Sequence, residues 1–301
     1  MNHARIVELT SGFGTRFEVL RTAYESQTFS RHSHDTYTLG LVLDGAGTFW
    51  CRGTEHFARK GDLVVIPPGE VHTGSVGAGI GSLAYLAIYL PVGLAALHAE
   101  AAGARGERPP EFGQVVLRDP RVRRTFQALD RVIGSAAAFR HWHSSGNTGD
   151  PPPLDAASAQ EAACIAITEL IHHHAQWSTP NDRLEQKGGS VREPRLVQVV
   201  RDVLEQSYAR ADETSLRMLA HRTGVTPFRV IRAFREATGL APHQYLIQVR
   251  VRRARQLLTE GTVPSLAALL TGFVDQSHLT FHFKKHLGIT PGNYRRCVAI
   301  P

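Results

Sequence analysis

Cysteine is scarce in this chain, with three in 301 residues, and what there is does not pair. Cys51, Cys164 and Cys297 lie far apart, leave an odd one over and show no Cys-x-x-Cys spacing, so a disulfide scaffold is excluded and a reducing, cytoplasmic setting is expected. No stretch approaches the ~20 consecutive apolar residues that a membrane helix requires, so no membrane partner is expected. The start, Met1 to Thr10, carries Glu8 and lacks a long apolar core, so no secretory signal is expected either.

What is present is a soluble, globular composition, 42% apolar and 20% charged, at a length that suits two domains better than one. The formal charge of +7 is unevenly placed. Residues 1–194 hold 18 basic and 20 acidic side chains, whereas residues 195–301 hold 16 and 7. The whole positive excess sits in the last third, which points to a phosphate-rich partner, because basic groups near phosphates release counterions.

From Thr36 to Pro91 short β-branched and aromatic runs alternate with Gly and Pro, the mark of an antiparallel sheet or barrel, with Asp44-Gly45 read as a turn. After Asp119 the character becomes helical, over Val122–Phe139 and Ala156–Gln176. Ser144–Pro153 reads as an exposed loop and Ser178–Glu193, with Gly188-Gly189-Ser190, as a linker. The expected division is 1–180, 181–194 as linker, and 195–301. The apolar stripe of the helix from Ala156 to Gln176 asks for a partner, and a homodimer is expected there.

The back region contains one unit twice. Gly239-Leu-Ala-Pro242-His-Gln-Tyr245 recurs 49 residues later as Gly288-Ile-Thr-Pro291-Gly-Asn-Tyr294, and the same shift carries Phe234 onto Phe283. In the first copy Ala220, Gly224 and Val230 have helix-turn-helix spacing: a small residue at the crossing, a glycine in the turn, a branched anchor on the second helix. Thr226-Pro227 supplies an N-cap and a first-turn proline, and the helix that follows leaves Arg229, Arg232 and Arg235 outward. In the second copy Gly272 makes the turn, Asp275 or Ser277 the cap, and Leu279, Phe283 and Leu287 the buried face. A basic helix from Pro242 to Glu260 joins them. The fold class expected is α+β in two domains, a barrel with following helices and an all-α domain with two helix-turn-helix units.

These residues resemble the AraC/XylS signature over about residues 195–297: Leu219-Ala220 with Gly224-Val225-Thr226-Pro227, Phe234 to Gly239, Pro242 to Leu246, Arg250 through Leu258, and Gly272-Phe273 leading to Ser277-His278, Phe283-Lys284 and Thr290-Pro291. The resemblance implies a transcription factor, often an activator, that binds DNA half-sites and contacts RNA polymerase. Carried onto this chain, the DNA-reading residues are Phe228, Arg229, Ile231, Arg232 and Arg235 in the first copy and Gln276, Ser277, Thr280, Phe281 and Lys284 in the second. Arginine forks suit guanine, glutamine suits adenine, and Thr or Phe can touch thymine methyls. The family commonly has arginine where this chain has Phe281, which either contacts thymine or packs inside the domain.

In the front region His32-Ser-His34 followed by Gly61-Asp62, Pro67-Pro68-Gly69 and His72 resembles the two cupin motifs. In metal-binding cupins three histidines and a carboxylate converge in the barrel; here the glutamate is missing, with Thr38 and Leu39 in its neighbourhood. Three histidines without the carboxylate can still hold zinc or iron. The resemblance to AraC-like regulators, in which such histidines more often line an effector pocket, implies that His32, His34 and His72 line a pocket for a small-molecule effector, with no metal and no cofactor expected. The rival reading is a metal-dependent cupin enzyme with an accessory DNA-binding module. Without a metal no nucleophile or carboxylate pair supports catalysis, so the chain is expected not to be an enzyme. His172-His173-His174 is read as a solvated or interface cluster.

Overall fold

The structure, a computed structural model, describes residues 3–76, 81–103, 109–134, 155–176 and 193–299. The expected loop at 144–153, the last residues of the expected helix Val122–Phe139, the front-domain limit at 180 and most of the linker 181–194 lie outside the described residues.

Eight strands come first: β1 (His3–Thr10), β2 (Arg16–Tyr24), β3 (Thr28–His32), β4 (Thr36–Cys51), β5 (Thr54–Arg59), β6 (Leu63–Ile66), β7 (His72–Val76) and β8 (Leu83–Pro91). Helix α1 (Val92–Ala101), the short strands β9 (Glu111–Phe112) and β10 (Val116–Leu117), α2 (Pro120–Ile133), α3 (Ala156–His174) and β11 (Ala175–Gln176) complete the front region. The first half of β4 pairs with β6 and β8, and its second half pairs with β5 and β7. One long strand thus belongs to both walls of the barrel.

The turn expected at Asp44-Gly45 is not a turn. The register to β8 shifts between Val42 and Asp44 and then resumes, and Gly45 takes φ 71°, so the chain bends at a bulge and continues. A Cβ at Gly45 would stand 1.9 Å from the Ser82 carbonyl oxygen, which explains glycine at that point.

Alternation along the sheet gives it two apolar faces. On β8, Leu86, Ile88 and Leu90 join Phe126 of α2 and Ala163, Ile167 and Leu170 of α3 in one core. The stripe that was expected to need a second subunit is therefore covered by the chain's own sheet and α2, and that argument for a dimer falls away. The intervening Ala87 and Tyr89 face the opposite way, into a core shared with the back region.

That region consists of α4 (Pro194–Gln206), α5 (Leu216–Thr223), α6 (Pro227–Thr238), α7 (Pro242–Thr259), α8 (Pro264–Leu270), α9 (Gln276–Leu287), α10 (Pro291–Cys297) and β12 (Val298–Ala299). The α5–α6 pair is the first helix-turn-helix. Gly224 ends α5 in the left-handed region at φ 66°, and the Thr226 hydroxyl accepts from the Arg229 amide ahead of Pro227. In the α8–α9 pair Gly272 has φ 78° and Asp275 is the cap, accepting from the His278 amide at 2.7 Å. The anchors Val230 and Leu279, and the equivalent Phe234 and Phe283, are fully buried.

Helix α7, about 27 Å long at 1.5 Å per residue, joins the copies. Its arginines do not form the basic rod that their run suggests. Arg250 donates to the Tyr208 carbonyl at 2.8 Å, Arg252 pairs with Glu205 and with Asp35 at 3.5 Å, Arg253 lies over the Tyr208 ring, and Arg255 pairs with Glu18 of β2. Each of the four is thus engaged within the protein. Finally β12 adds to the barrel as a parallel neighbour of β1, with Ile6 opposite Val298.

Candidate functional site

Strands β3 and β7 run antiparallel with His32 directly opposite His72, and His34 follows two residues after His32. The three rings gather: centroids are 4.3 Å apart for His32–His72, 5.0 Å for His32–His34 and 5.2 Å for His34–His72. They border a cavity of about 150 Å³ whose remaining wall is mostly apolar, including Phe29, Leu41, Phe49, Ile66 and Tyr85. An apolar space of that size accommodates a molecule about as large as benzene.

Burial holds all three imidazoles neutral. His32 and His34 are pushed well below the usual histidine range, first by burial and then by a neighbouring histidine, and His72 is lowered by burial. The His32 ring donates from Nδ1 to the Ser30 carbonyl at 2.6 Å and the His72 ring from Nδ1 to the Glu70 carbonyl at 3.0 Å, since a carbonyl can only accept. In both rings the free lone pair is therefore on Nε2. Thr38, in the neighbourhood of the missing glutamate, also lines the cavity, and its hydroxyl oxygen is buried without a hydrogen-bond partner. The nearby Cys51 thiol is buried and pushed up to about 11, first by that burial, which disfavours the nucleophilic thiolate. Of the other cluster, His174 pairs with Asp119, the α2 cap, at 3.1 Å and so fastens α3 to α2, while His173 pairs along α3 with Glu169 at 3.3 Å.

The helices expected to read DNA turn their named side chains outward. On α6, Phe228 is 73% exposed, Arg232 and Arg235 are exposed, and Ile231 is half-buried. Arg229 is exposed too, but its guanidinium is held by Glu193 at 2.9 Å. On α9, Gln276, Ser277 and Lys284 are exposed and Thr280 is half-buried. Phe281 is 61% exposed beneath Lys285, 5.8 Å from the ring, so it does not pack inside the domain.

Two features of α9 escaped the sequence reading. His278, His282 and His286 recur every four residues and form a third face of the helix, besides the apolar one and the outward one. The spacing was visible, but nothing in it says what the face meets. Only its last member meets the barrel: His278 and His282 lie against the Phe273 ring, whereas His286, with Leu287 beside it, lines the histidine cavity, its ring 6.0 Å from that of His32. Around this contact the Tyr24 hydroxyl donates to the Leu287 carbonyl at 3.0 Å and the Gln248 side chain accepts from the Ser33 amide at 2.7 Å.

Comparison with known proteins agrees with this architecture. Residues 15–145 match the AraC-like ligand binding domain family and residues 219–297 a helix-turn-helix domain family. An HTH-type transcriptional regulator of Bacillus subtilis, YbfI, is 28% identical over 84% of this chain and 82% of its own length. Among solved structures, ToxT from Vibrio cholerae superposes over 98% of this chain and 97% of its own with a TM-score of 0.51 at 8% identity, a likeness of fold. A shorter match, 32% identity over 24% of this chain and 40% of the other, is to an acireductone dioxygenase of Schizosaccharomyces pombe. With a ligand-binding barrel in front, two outward-facing helix-turn-helix units behind and regulators as its relatives along most of its length, the chain belongs to the AraC family of DNA-binding transcription regulators.

Proposed function

We propose that this regulator senses a small-molecule effector with His32, His34, His72 and the free Thr38 hydroxyl, and reads two DNA half-sites with Phe228, Arg229, Ile231, Arg232 and Arg235 of α6 and Gln276, Ser277, Thr280, Phe281 and Lys284 of α9. The observation that carries this is the shared wall: the cavity that holds the three histidines is closed by His286 and Leu287, on the same helix as the second set of readers. An occupant therefore touches both the sensor and the reading element, and can shift the protein's DNA affinity only through such differential contact. The proposed working division is a sensor over residues 1–180, a linker over 181–194 and a reader over 195–301.

Activation is the direction that the family resemblance implies. A contact with RNA polymerase is supported by an apolar patch beside the second reader, where Val263, Leu266, Leu269, Leu270 and Val274 are all exposed. A homodimer would use the outer faces of α2 and α3, where Ile165 is 48% exposed. A cytoplasmic setting is the one in which the proposed DNA partner would be met; among the described residues no helix is long and apolar enough to cross a membrane.

The enzyme reading retains one favourable observation, the histidine triad itself, and the short dioxygenase match bears on it. Against it stands the lack of any carboxylate in that triad. A thermal-shift panel of small compounds run beside band shifts on the same protein separates the two. A binder at 100 times its dissociation constant adds about 2.7 kcal/mol, and on the regulator reading it also changes DNA affinity. A compound consumed by the protein with DNA affinity unmoved would establish the enzyme instead.

A further inference from the structure

The wall of the histidine cavity constrains its occupant by charge as well as by size. No aspartate, glutamate, lysine or arginine lines it. Arg255, whose guanidinium lies 5.0 Å from the ring of the lining Tyr89, is already paired with Glu18. A charged occupant would leave water for a place without a counter-ion, and the burial that keeps His32, His34 and His72 neutral would disfavour it in the same way. This argues against a carboxylate and an ammonium group alike.

What the wall leaves open is a set of lone pairs. His286 repeats what His32 and His72 do, donating from Nδ1 to the His282 carbonyl at 2.8 Å, so three imidazoles present Nε2 as an acceptor. A neutral ring in that tautomer has no second proton to give. Other lining hydroxyls are engaged within the protein: those of Thr48 and Ser75 are 2.9 Å apart, the Thr73 oxygen accepts from the Trp50 amide at 3.0 Å, and Tyr85 bonds to Tyr24. Among the described residues Thr38 is the one lining side chain with a polar atom buried and unpartnered. It lies at the histidine end, since its partner across the ladder on β8 is Tyr89, whose ring is 5.3 Å from that of His34.

The unmet demand is for an O–H group. It can donate into an imidazole lone pair while accepting from the Thr38 hydroxyl, a pairing that neither an acceptor-only group nor a hydrocarbon supplies. The apolar wall and the volume of about 150 Å³ call for a body near the size of one ring.

We propose that the effector is an uncharged, ring-sized apolar molecule with a single hydroxyl, an alcohol or phenol held between an imidazole Nε2 and Thr38. The proposal rests on the effector-cavity reading above and names the chemical class of the effector. A body lodged against Tyr85 also bears on the end of α9, because Tyr24, which bonds to Tyr85, donates its own proton to the Leu287 carbonyl.

Phenol is the probe, with toluene, benzoate and benzylammonium as bodies of similar size that differ in the polar group. Each is titrated at neutral pH into the full chain with a chelator present, and followed by calorimetry, by nitrogen resonances of the imidazoles and by band shift. Phenol is expected to bind at one equivalent, about tenfold more tightly than each of the other three, to shift a histidine Nε2 resonance and to change DNA affinity at least about fivefold. Thr38→Val should weaken phenol about tenfold and toluene by less than about twofold, and Thr38→Ser should restore phenol binding. Because the Thr38 oxygen has no partner in the empty protein, Thr38→Val should not lower the thermal transition.

Benzoate or benzylammonium bound as tightly as phenol overturns the exclusion of charge, and toluene bound as tightly overturns the hydroxyl; in either case the cavity remains a sensor, of another class. Equal losses of phenol and toluene in Thr38→Val overturn the role of that residue. If none of the four binds, the class falls, and the wider compound panel decides whether the cavity reading falls with it. Phenol bound with DNA affinity unmoved overturns the effector reading while the ligand class stands.

Discussion

The two helix-turn-helix copies share a backbone plan, yet they are embedded in opposite ways. The first, α5–α6, closes a core of its own with Val200 and Leu204 of α4, Leu219, Val230, Phe234 and Leu246 of α7, a cluster that includes no barrel residue. The second, α8–α9, has no separate core: Leu279, Phe283 and Tyr294 pack in one cluster with Ile6, Leu20 and Ala87 of the sheet. The outward chemistry differs in parallel, arginines on α6 against Gln276, Phe281 and Lys284 on α9. A duplicated unit thus stands in two settings: one copy rests on a helical core of its own, and the other shares a wall with the histidine cavity.

The sharpest test of that difference removes the equivalent buried rings. Phe234→Ala and Phe283→Ala should each cost about 3–5 kcal/mol in urea unfolding. Hydrogen exchange should show the first loosening α4–α6 alone and the second reaching the β8 amides as well. Equal spread from both substitutions would dissolve the comparison.

Next in size is the tether between β2 and α7. Glu18→Ala strands the Arg255 guanidinium in a site where Tyr294 is its other partner at 3.1 Å, and a loss of about 3 kcal/mol is expected. Limited proteolysis should then cut near α9 before α6. For the reading surface, Arg232→Ala should lower discrimination between first half-site sequences by about 1–3 kcal/mol in competition band shifts, leaving the second half-site's preference unchanged. Arg229→Ala should do less, because Glu193 already holds that side chain.

Acidification should weaken the docked copy more than the free one. His32, His34, His72 and His286 are all lowered in the folded state, chiefly by burial, so unfolded chains take up protons first as pH falls below the free-histidine value. Stability is intact above about pH 6.5 and declines below it by up to about 1.4 kcal/mol per pH unit for each such ring. Thermal transitions measured across that range should show the loss shrink in His286→Ala. The smallest effect expected is from Lys284→Ala, a reduction of about one in the salt slope of DNA binding with sequence preference retained.

Much of this was legible before any coordinates. The repeat, the cap at Thr226, the choice of Asp275 or Ser277 that the structure resolves to Asp275, the buried anchors and the outward side chains follow from local rules, because a helix fixes which residues share a face within two turns. The histidines at 32, 34 and 72 could be grouped because strand spacing and motif spacing are also local. Errors came where a local signal had a distant answer. Asp44-Gly45 has turn chemistry, but β8 continues the ladder past it. The α7 arginines look like phosphate ligands, yet Glu18, Asp35 and Glu205 take up two of them and Tyr208 engages two more. The α3 stripe asks for a cover without saying that α2 of the same chain provides it.

By itself the sequence determined the elements, their faces and the kind of partner each outward face suits, since these depend on periods of two and 3.6 residues and on the charge of neighbouring side chains. Only the tertiary structure decided which of two like copies would lie on the barrel and that His286 would look into the histidine cavity. Contacts between residues some 250 positions apart carry no periodicity, and they are set by how two apolar faces fit.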